Sequence, residues 1–189
     1  MKTTKVLQTN VSQTSIDEVS NILNKTAGNR IAICNANTLV RSARNSDIAD
    51  LINNFTIKTP DGFPVAKALS ILTKQNFPRV DGYKVFLQTI KDGLDRNRSH
   101  YFFGSDELTT ELMIKNLKKD YPQIQISGYI CPEFMESDQL VEKYADEIEN
   151  INADIVWVSL GFPKQEMFID QVNRVMDINS NFVGIGGVF

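Results

Sequence analysis

The sequence predicts an α/β fold of the Rossmann-like kind, with a mostly parallel sheet covered by helices on both faces. Three observations predict it. Runs such as RIAICNA, SHYFFGS and DIVWVSLG are apolar at nearly every position, as strands buried on both faces must be. Stretches with apolar residues at helical spacing separate them, so strand and helix alternate along the chain. Several strands end in small or polar residues, and a parallel sheet gathers such ends on one edge.

The elements follow in order. SIDEVSNILNKTAG carries Ile16, Val19, Ile22 and Leu23 on one helical face, with Ser15 and Glu18 as a capping box and Gly28 as the stop. RIAICNA reads as a buried strand, and SDIADLINN as a second helix capped by Ser46. FTIKT is a strand leading through Pro60-Asp61-Gly62 into the helix FPVAKALSILTK, and GYKVFLQTIKDGLDRN is the next helix. SHYFFGS is a strand, DELTTELMIKNLKKDYP an amphipathic helix stopped by Pro122, and QIQISGY a strand. SDQLVEKYADEIENINA reads as one helix with Ser137 at its cap. DIVWVSLG is a strand, PKQEMFIDQVNRVM a helix with Pro163 near its first turn, and NFVGIGGVF a final strand. Residues 1–189 read as one domain, without repeats, low-complexity tracts or linkers.

Composition narrows the function. Hydrophobic residues make up 42% and charged residues 23%, as in a globular domain with a real core. A net charge of −3 argues against a nucleic-acid surface. Cys34 and Cys131 lack CxxC spacing and the chain has 1 histidine, so no zinc site is expected and the cysteines read as reduced thiols. The N-terminus has no apolar core of a signal peptide, and no apolar run reaches the roughly 20 residues that span a bilayer. These features point to an intracellular chain.

The strand ends supply the candidate site. Asn35, Asp61-Gly62, Gly104-Ser105, Gly128-Tyr129, Gly161 with Pro163-Lys164-Gln165, and Gly184 with Gly186-Gly187 share one topological position. Glycines there let phosphates approach backbone N–H groups and helix N-termini. Each has a plain structural alternative. Pro-Asp-Gly is a frequent turn, and Gln165-Glu166 suits a helix start. By residue type alone Arg79 reads first as a surface side chain, and His100 as an edge residue rather than a ligand. Tyr129 is placed either to pack or to stack on a base. GIGG lacks the spacing and early position of a dinucleotide fingerprint, which argues against a nicotinamide oxidoreductase. No Asp-x-Asp pair is present, so a nucleotide-sugar enzyme built on this chain must steady its pyrophosphate with N–H groups, helix ends and basic side chains.

Read together, the motifs resemble the WecG/TagA/CpsF glycosyltransferases (glycosyltransferase family 26), from about Val11 to Phe189. NANTLV is similar to the family's asparagine motif, TPDGFPVAKAL to its PDG block, and PRVDG to its ERVxG element. YFFGS and YPQIQISGY follow its FLLG and YPGxxIxG patterns, VSLGFPKQE its GxPKQE block, and GIGGVF its GVGGxFD element cut before the aspartate. The resemblance implies an inverting, metal-independent transfer of a sugar, N-acetylmannosamine or a related hexose, from a UDP-sugar to a polyprenyl-diphosphate-linked acceptor, in bacterial surface polysaccharide or teichoic acid synthesis. It implies Asp61 as the general base. Asn35 would orient hydroxyls, and Gln165 would contact the donor sugar or its diphosphate. Arg79 and Lys164 would also bind substrate, while Gly104, Ser105, Tyr129 and Gly161 line the nucleotide pocket, backed by Gly184 and Gly186. It implies no cofactor beyond the UDP-sugar, no metal, and a possible homodimer or homotrimer.

The chain departs from the family at Ile33, where a small hydroxyl residue is common, and at Lys84, where an aspartate is common. The family's basic C-terminal segment, which supplies arginines and touches the membrane, is also missing after Phe189. The resemblance therefore implies a cytoplasmic catalytic core, peripheral at the inner face of the membrane when full length. A weakly active nucleotide-binding or scaffold domain of the same fold is the alternative.

Overall fold

The computed structural model describes residues 1–188; Phe189, the last residue of the GIGGVF motif, lies outside the described residues. The apolar runs form β3 (Arg30–Cys34), β4 (Ile57–Pro60), β5 (Ser99–Gly104), β6 (Gln125–Ile130), β7 (Ile155–Ser159) and β8 (Asn181–Gly184). They build one 6-stranded sheet in the order β4-β3-β8-β7-β5-β6, and every neighbouring pair is parallel. The mostly parallel sheet predicted from sequence is thus parallel throughout its described pairs.

Helices cover both faces, as the two-sided burial of the strands demands. One face packs Val19 and Leu23 of α1 (Ile16–Lys25), Val85, Phe86 and Ile90 of α5 (Gly82–Gly93), and Leu117 of α6 (Glu107–Asp120) against Phe102, Trp157 and Val183. The other face uses α2 (Ala36–Arg44), α3 (Ser46–Asn53), α4 (Gly62–Thr73), α7 (Ser137–Lys143), α8 (Ala145–Glu149) and α9 (Lys164–Val175). There Phe103 stacks on Phe168 with centroids 4.3 Å apart, and on the first face Phe86 meets Trp157 edge-on at 4.9 Å. Each such fully buried side chain contributes about 1.5–3 kcal/mol of transfer free energy.

Several expectations need correction. Residues 1–12 form a hairpin of β1 (Thr3–Val6) and β2 (Thr9–Ser12), a separate 2-stranded sheet that the polar, four-residue strands did not signal. It is tied down by Ser12 Oγ, which accepts from Lys58 N–H at 3.0 Å, and by Asn53, whose Oδ1 accepts from Asn10 N–H at 2.8 Å. Ser15 does cap α1, but Glu18 accepts from the Thr14 hydroxyl at 3.0 Å, so the reciprocal half of the box is replaced. The helix α2 follows directly on β3 where a motif without a helix was read. Asn45, not Ser46, caps α3, its Oδ1 accepting from Asp47 and Ile48 N–H at 2.8 and 3.1 Å. The stretch after Ser137 breaks into α7 and α8, with Glu136 at the cap. The Ser137 hydroxyl instead donates to Lys164 O at 3.2 Å. His100 is not at an edge: β5 pairs with both β6 and β7, and His100 is 1% exposed.

The chain runs from β3 outward to β4, restarts at β5, moves outward to β6, and then fills the centre with β7 and β8. That reversal separates the connections on the two sides and opens a crevice at the carboxyl ends of the central strands.

Candidate functional site

A cavity of about 400 Å³ lies at that crevice, lined from four strand ends and the segment that leads into α5. Asn35 comes from the end of β3, Asp61 from β4, Gly161 and Gln165 from the β7–α9 connection, and Gly186 from the turn after β8. Arg79, Asp81 and Tyr83 enter from the segment leading into α5.

Asn35 is the N-cap of α2, because its Oδ1 accepts from Thr38 N–H at 3.1 Å. That bond points its amide oxygen into the helix and leaves its amide nitrogen without a hydrogen-bond partner among the described residues. Asp61 stands at the corresponding place before α4, yet its carboxylate does not cap that helix. Its own N–H donates to Cys34 O at 3.0 Å, fixing the turn across two strand ends. The carboxylate therefore faces the cavity, where it accepts from Arg79 Nε at 3.2 Å. Pro-Asp-Gly is a turn and a presented carboxylate at once.

Arg79 is held by its neighbours. Val80 N–H donates to Pro60 O at 3.0 Å, and Val80 O accepts from the Thr59 hydroxyl at 3.2 Å. This stitches the Arg79 segment to the end of β4. The Arg79 side chain is 58% exposed and lies between two carboxylates, Asp61 and, at 3.7 Å, Asp81. Asp81 caps α5, accepting from Lys84 N–H at 3.0 Å, while Lys84 Nζ is 4.0 Å from the same carboxylate. The departure at Lys84 thus adds a cation beside Asp81, and the departure at Ile33 puts an apolar side chain in the cavity wall.

Gln165 is 3% exposed, and both ends of its amide are engaged. Its Oε1 accepts from Gly186 N–H at 3.0 Å, and its Nε2 donates to Glu166 Oε1 at 2.9 Å. Gly184 makes this possible, since a Cβ there would stand 3.0 Å from Gln165 Nε2. Gly184 is therefore packed on Gln165 from behind. By contrast, a Cβ at Gly161 or Gly186 would meet nothing within 4 Å, so these two border open space.

The remaining expected residues lie outside this cavity's lining. Gly104 is buried where β5 meets β7, and a Cβ there would come within 2.2 Å of Ser159 O. Ser105 N–H donates to that same oxygen at 3.1 Å. These two shape the strand end next to the cavity. Tyr129 is on β6, at the sheet edge, 3.4 Å from Glu111 Oε1. Lys164 turns away, with its ammonium 4.3 Å over the Phe134 ring.

Sequence reasoning passed over several lining groups: Thr38, Asp81, Tyr83 and Phe162, whose ring carries the Arg41 guanidinium at 5.0 Å. Asp81 had a signal, because it sits within the quoted PRVDG element. Phe162 and Thr38 likewise sit within the quoted VSLGFPKQE and NANTLV motifs, whereas Tyr83 had no signal beyond adjacency to PRVDG. Among the described residues no group of three His, Cys, Asp or Glu side chains is arranged to hold a metal ion. The arrangement offers a carboxylate, a guanidinium, an amide nitrogen and glycine-bordered space around one cavity, which suits a polyhydroxylated, anionic ligand.

The sequence model of the glycosyl transferase WecG/TagA/CpsF family matches residues 4–189. The chain is 30% identical over 133 residues to an N-acetylglucosaminyldiphosphoundecaprenol N-acetyl-beta-D-mannosaminyltransferase of Bacillus spizizenii, covering 69% of this chain and 49% of that protein. It is 24% identical over 159 residues to the enzyme of that name from Bacillus subtilis, covering 84% and 60%. A Staphylococcus aureus enzyme of the same name is 26% identical over 141 residues, covering 73% and 52%. The chain thus spans between 49% and 60% of the length of these curated relatives.

Proposed function

Because the chain belongs to the WecG/TagA/CpsF glycosyltransferase family, we propose that it is the core of a bacterial transferase that moves a sugar from a UDP-sugar to a polyprenyl-diphosphate-linked acceptor. The donor is of the N-acetylmannosamine type or a related hexose, and the product feeds surface polysaccharide or teichoic acid synthesis. The observation that carries the reading is the convergence of Asn35, Asp61, Arg79 and Gln165 on one cavity at the carboxyl ends of the central strands.

The residues divide the reaction as follows. The Asp61 carboxylate takes the proton of the acceptor hydroxyl as its oxygen attacks the anomeric carbon. The bond from that carbon to the UDP oxygen breaks on the opposite face, so configuration inverts and UDP leaves with the electron pair. A positioned base contributes roughly 10²–10⁴-fold to such a step. Arg79 turns from Asp61 towards the diphosphate as negative charge grows there, and this frees the carboxylate to act. The Asn35 amide nitrogen donates to a sugar oxygen. Gln165 and the Gly186 turn form the floor. No step uses a metal.

Among the described residues no helix is long and apolar enough to cross a membrane; peripheral contact with the membrane is our proposal for how the lipid acceptor is reached. The test is transfer from a panel of UDP-sugars to a polyprenyl-diphosphate acceptor by the full-length protein, with and without EDTA. Asp61→Asn should lower turnover by roughly 10²–10⁴-fold while UDP still binds. Equal rates for wild type and Asp61→Asn refute the base, and loss of activity in EDTA refutes the metal-free mechanism.

A further inference from the structure

Glu166 is an ionisable group that the chemistry above does not use. It is 1% exposed in the first turn of α9 and does not line the cavity. Its Oε1 accepts from Gln165 Nε2 at 2.9 Å, whereas its Oε2 is buried with no hydrogen-bond partner. No cation stands against it in any ion pair among the described residues. A buried carboxyl with one oxygen unmatched is a costly arrangement, and an apolar side chain of similar volume would fill the same space at less expense.

The hydrogen-bond logic explains what the carboxyl does there. Gly186 N–H is a donor only, so Gln165 must offer it the amide oxygen. The amide nitrogen then points the other way and requires an acceptor. Glu166 Oε1 is that acceptor. Gly184 keeps the space behind the amide narrow, with a Cβ position only 3.0 Å from Nε2, so the side chain has little freedom to choose another rotamer.

We propose that Glu166 is a positioning residue: it sets the amide orientation of Gln165 and thereby locks the Gly186 turn that floors the cavity. The lock survives titration. Burial pushes the Glu166 carboxyl up to about 7, and a proton carried on the unmatched Oε2 leaves Oε1 free to accept from Gln165. The consequence for ligand binding rests on the transferase reading above; the lock itself does not.

The experiment compares Glu166→Gln, which keeps an acceptor oxygen, with Glu166→Met, which fills the volume without one. Amide hydrogen exchange at Gly186 is followed by NMR in the ligand-free protein, and UDP affinity is measured by calorimetry. Glu166→Met should speed Gly186 exchange and weaken UDP binding by about tenfold each, as loss of one buried hydrogen bond implies, while Glu166→Gln stays within about twofold of wild type on the same scale. Gly186 exchange unchanged in Glu166→Met overturns the lock, as does an equal effect of both variants. Should Glu166→Met not fold, Glu166→Asp draws the carboxyl back by one methylene and must free Gly186 likewise; unchanged exchange there also overturns it. A wild-type protein that fails to bind UDP would sink the transferase reading, and Gly186 exchange would still decide the lock.

Discussion

His100, the 1 histidine of the chain, makes its stability depend on pH in a way that can be isolated. The ring is 1% exposed in β5. Its Nδ1 accepts from Trp157 Nε1–H at 3.1 Å, and the two rings stack with centroids 6.1 Å apart. An accepting Nδ1 must be unprotonated, so charging His100 in place would break this bond as well as bury a cation. Burial pushes its pKa from 6.5 down to about 4, against an opposing pull from Asp154. The folded state therefore binds the proton less readily than the unfolded chain does. Stability is complete above about pH 6.5, falls as pH drops through the window from 6.5 to 4, and levels off below it. At 1.36 kcal/mol per pKa step, the whole window is worth about 3 kcal/mol, and about 2 kcal/mol is already lost at pH 5. Urea unfolding of wild type and His100→Gln between pH 7.5 and 4.5 measures it, since the variant cannot titrate there. The wild-type advantage should shrink by about 2 kcal/mol between pH 7 and 5. Parallel curves, or an imidazole C2–H resonance that titrates near 6.5, would refute the argument.

Three other outcomes follow from the same structure. Glu166 works in the opposite sense: its carboxyl is raised from 4.5 to about 7, so its contribution is complete below 4.5 and is lost as pH rises through 7, and Glu166→Gln should gain about 3 kcal/mol on wild type between pH 5 and pH 9 in urea unfolding. Gly104→Ala sets a Cβ 2.2 Å from Ser159 O at a φ of +119°; the backbone must shift, and a loss of more than about 2 kcal/mol is expected by chemical denaturation. Asn35→Ala removes the α2 cap and should cost about 1 kcal/mol, whereas Asn35→Asp keeps the cap and removes the amide nitrogen, so a fall in UDP-sugar turnover with unchanged stability would separate the two roles.

Local chemistry carried much of this protein openly. Apolar runs such as DIVWVSLG could only be strands covered on both faces, and the helical spacing between them forced the parallel arrangement. The family resemblance of the motifs brought eleven residues forward, of which Asn35, Asp61, Arg79, Gly161, Gln165 and Gly186 line one cavity and the other five do not. What sequence could not show were features set by contacts between distant residues. The β1–β2 hairpin has four-residue strands with polar faces and is secured by Asn53 and Ser12 across 43 and 46 positions. Ser46 and Ser137 are good cap residues by type, yet Asn45 and Glu136 took those places because the chain enters each helix one residue earlier.

By itself, then, the sequence determined the layered α/β fold and the roster of strand-end residues, because burial and periodicity are properties of neighbouring positions. Only the tertiary structure decided which of those residues share a cavity. Sheet order puts β8 between β3 and β7 and sends β6 to the edge, so of two expected residues Gly186 lines the cavity and Tyr129 does not. Packing decided the rest: Gly184 is small so that Gln165 can bond Gly186, and Asp61 is released from its helix so that its carboxylate faces Arg79.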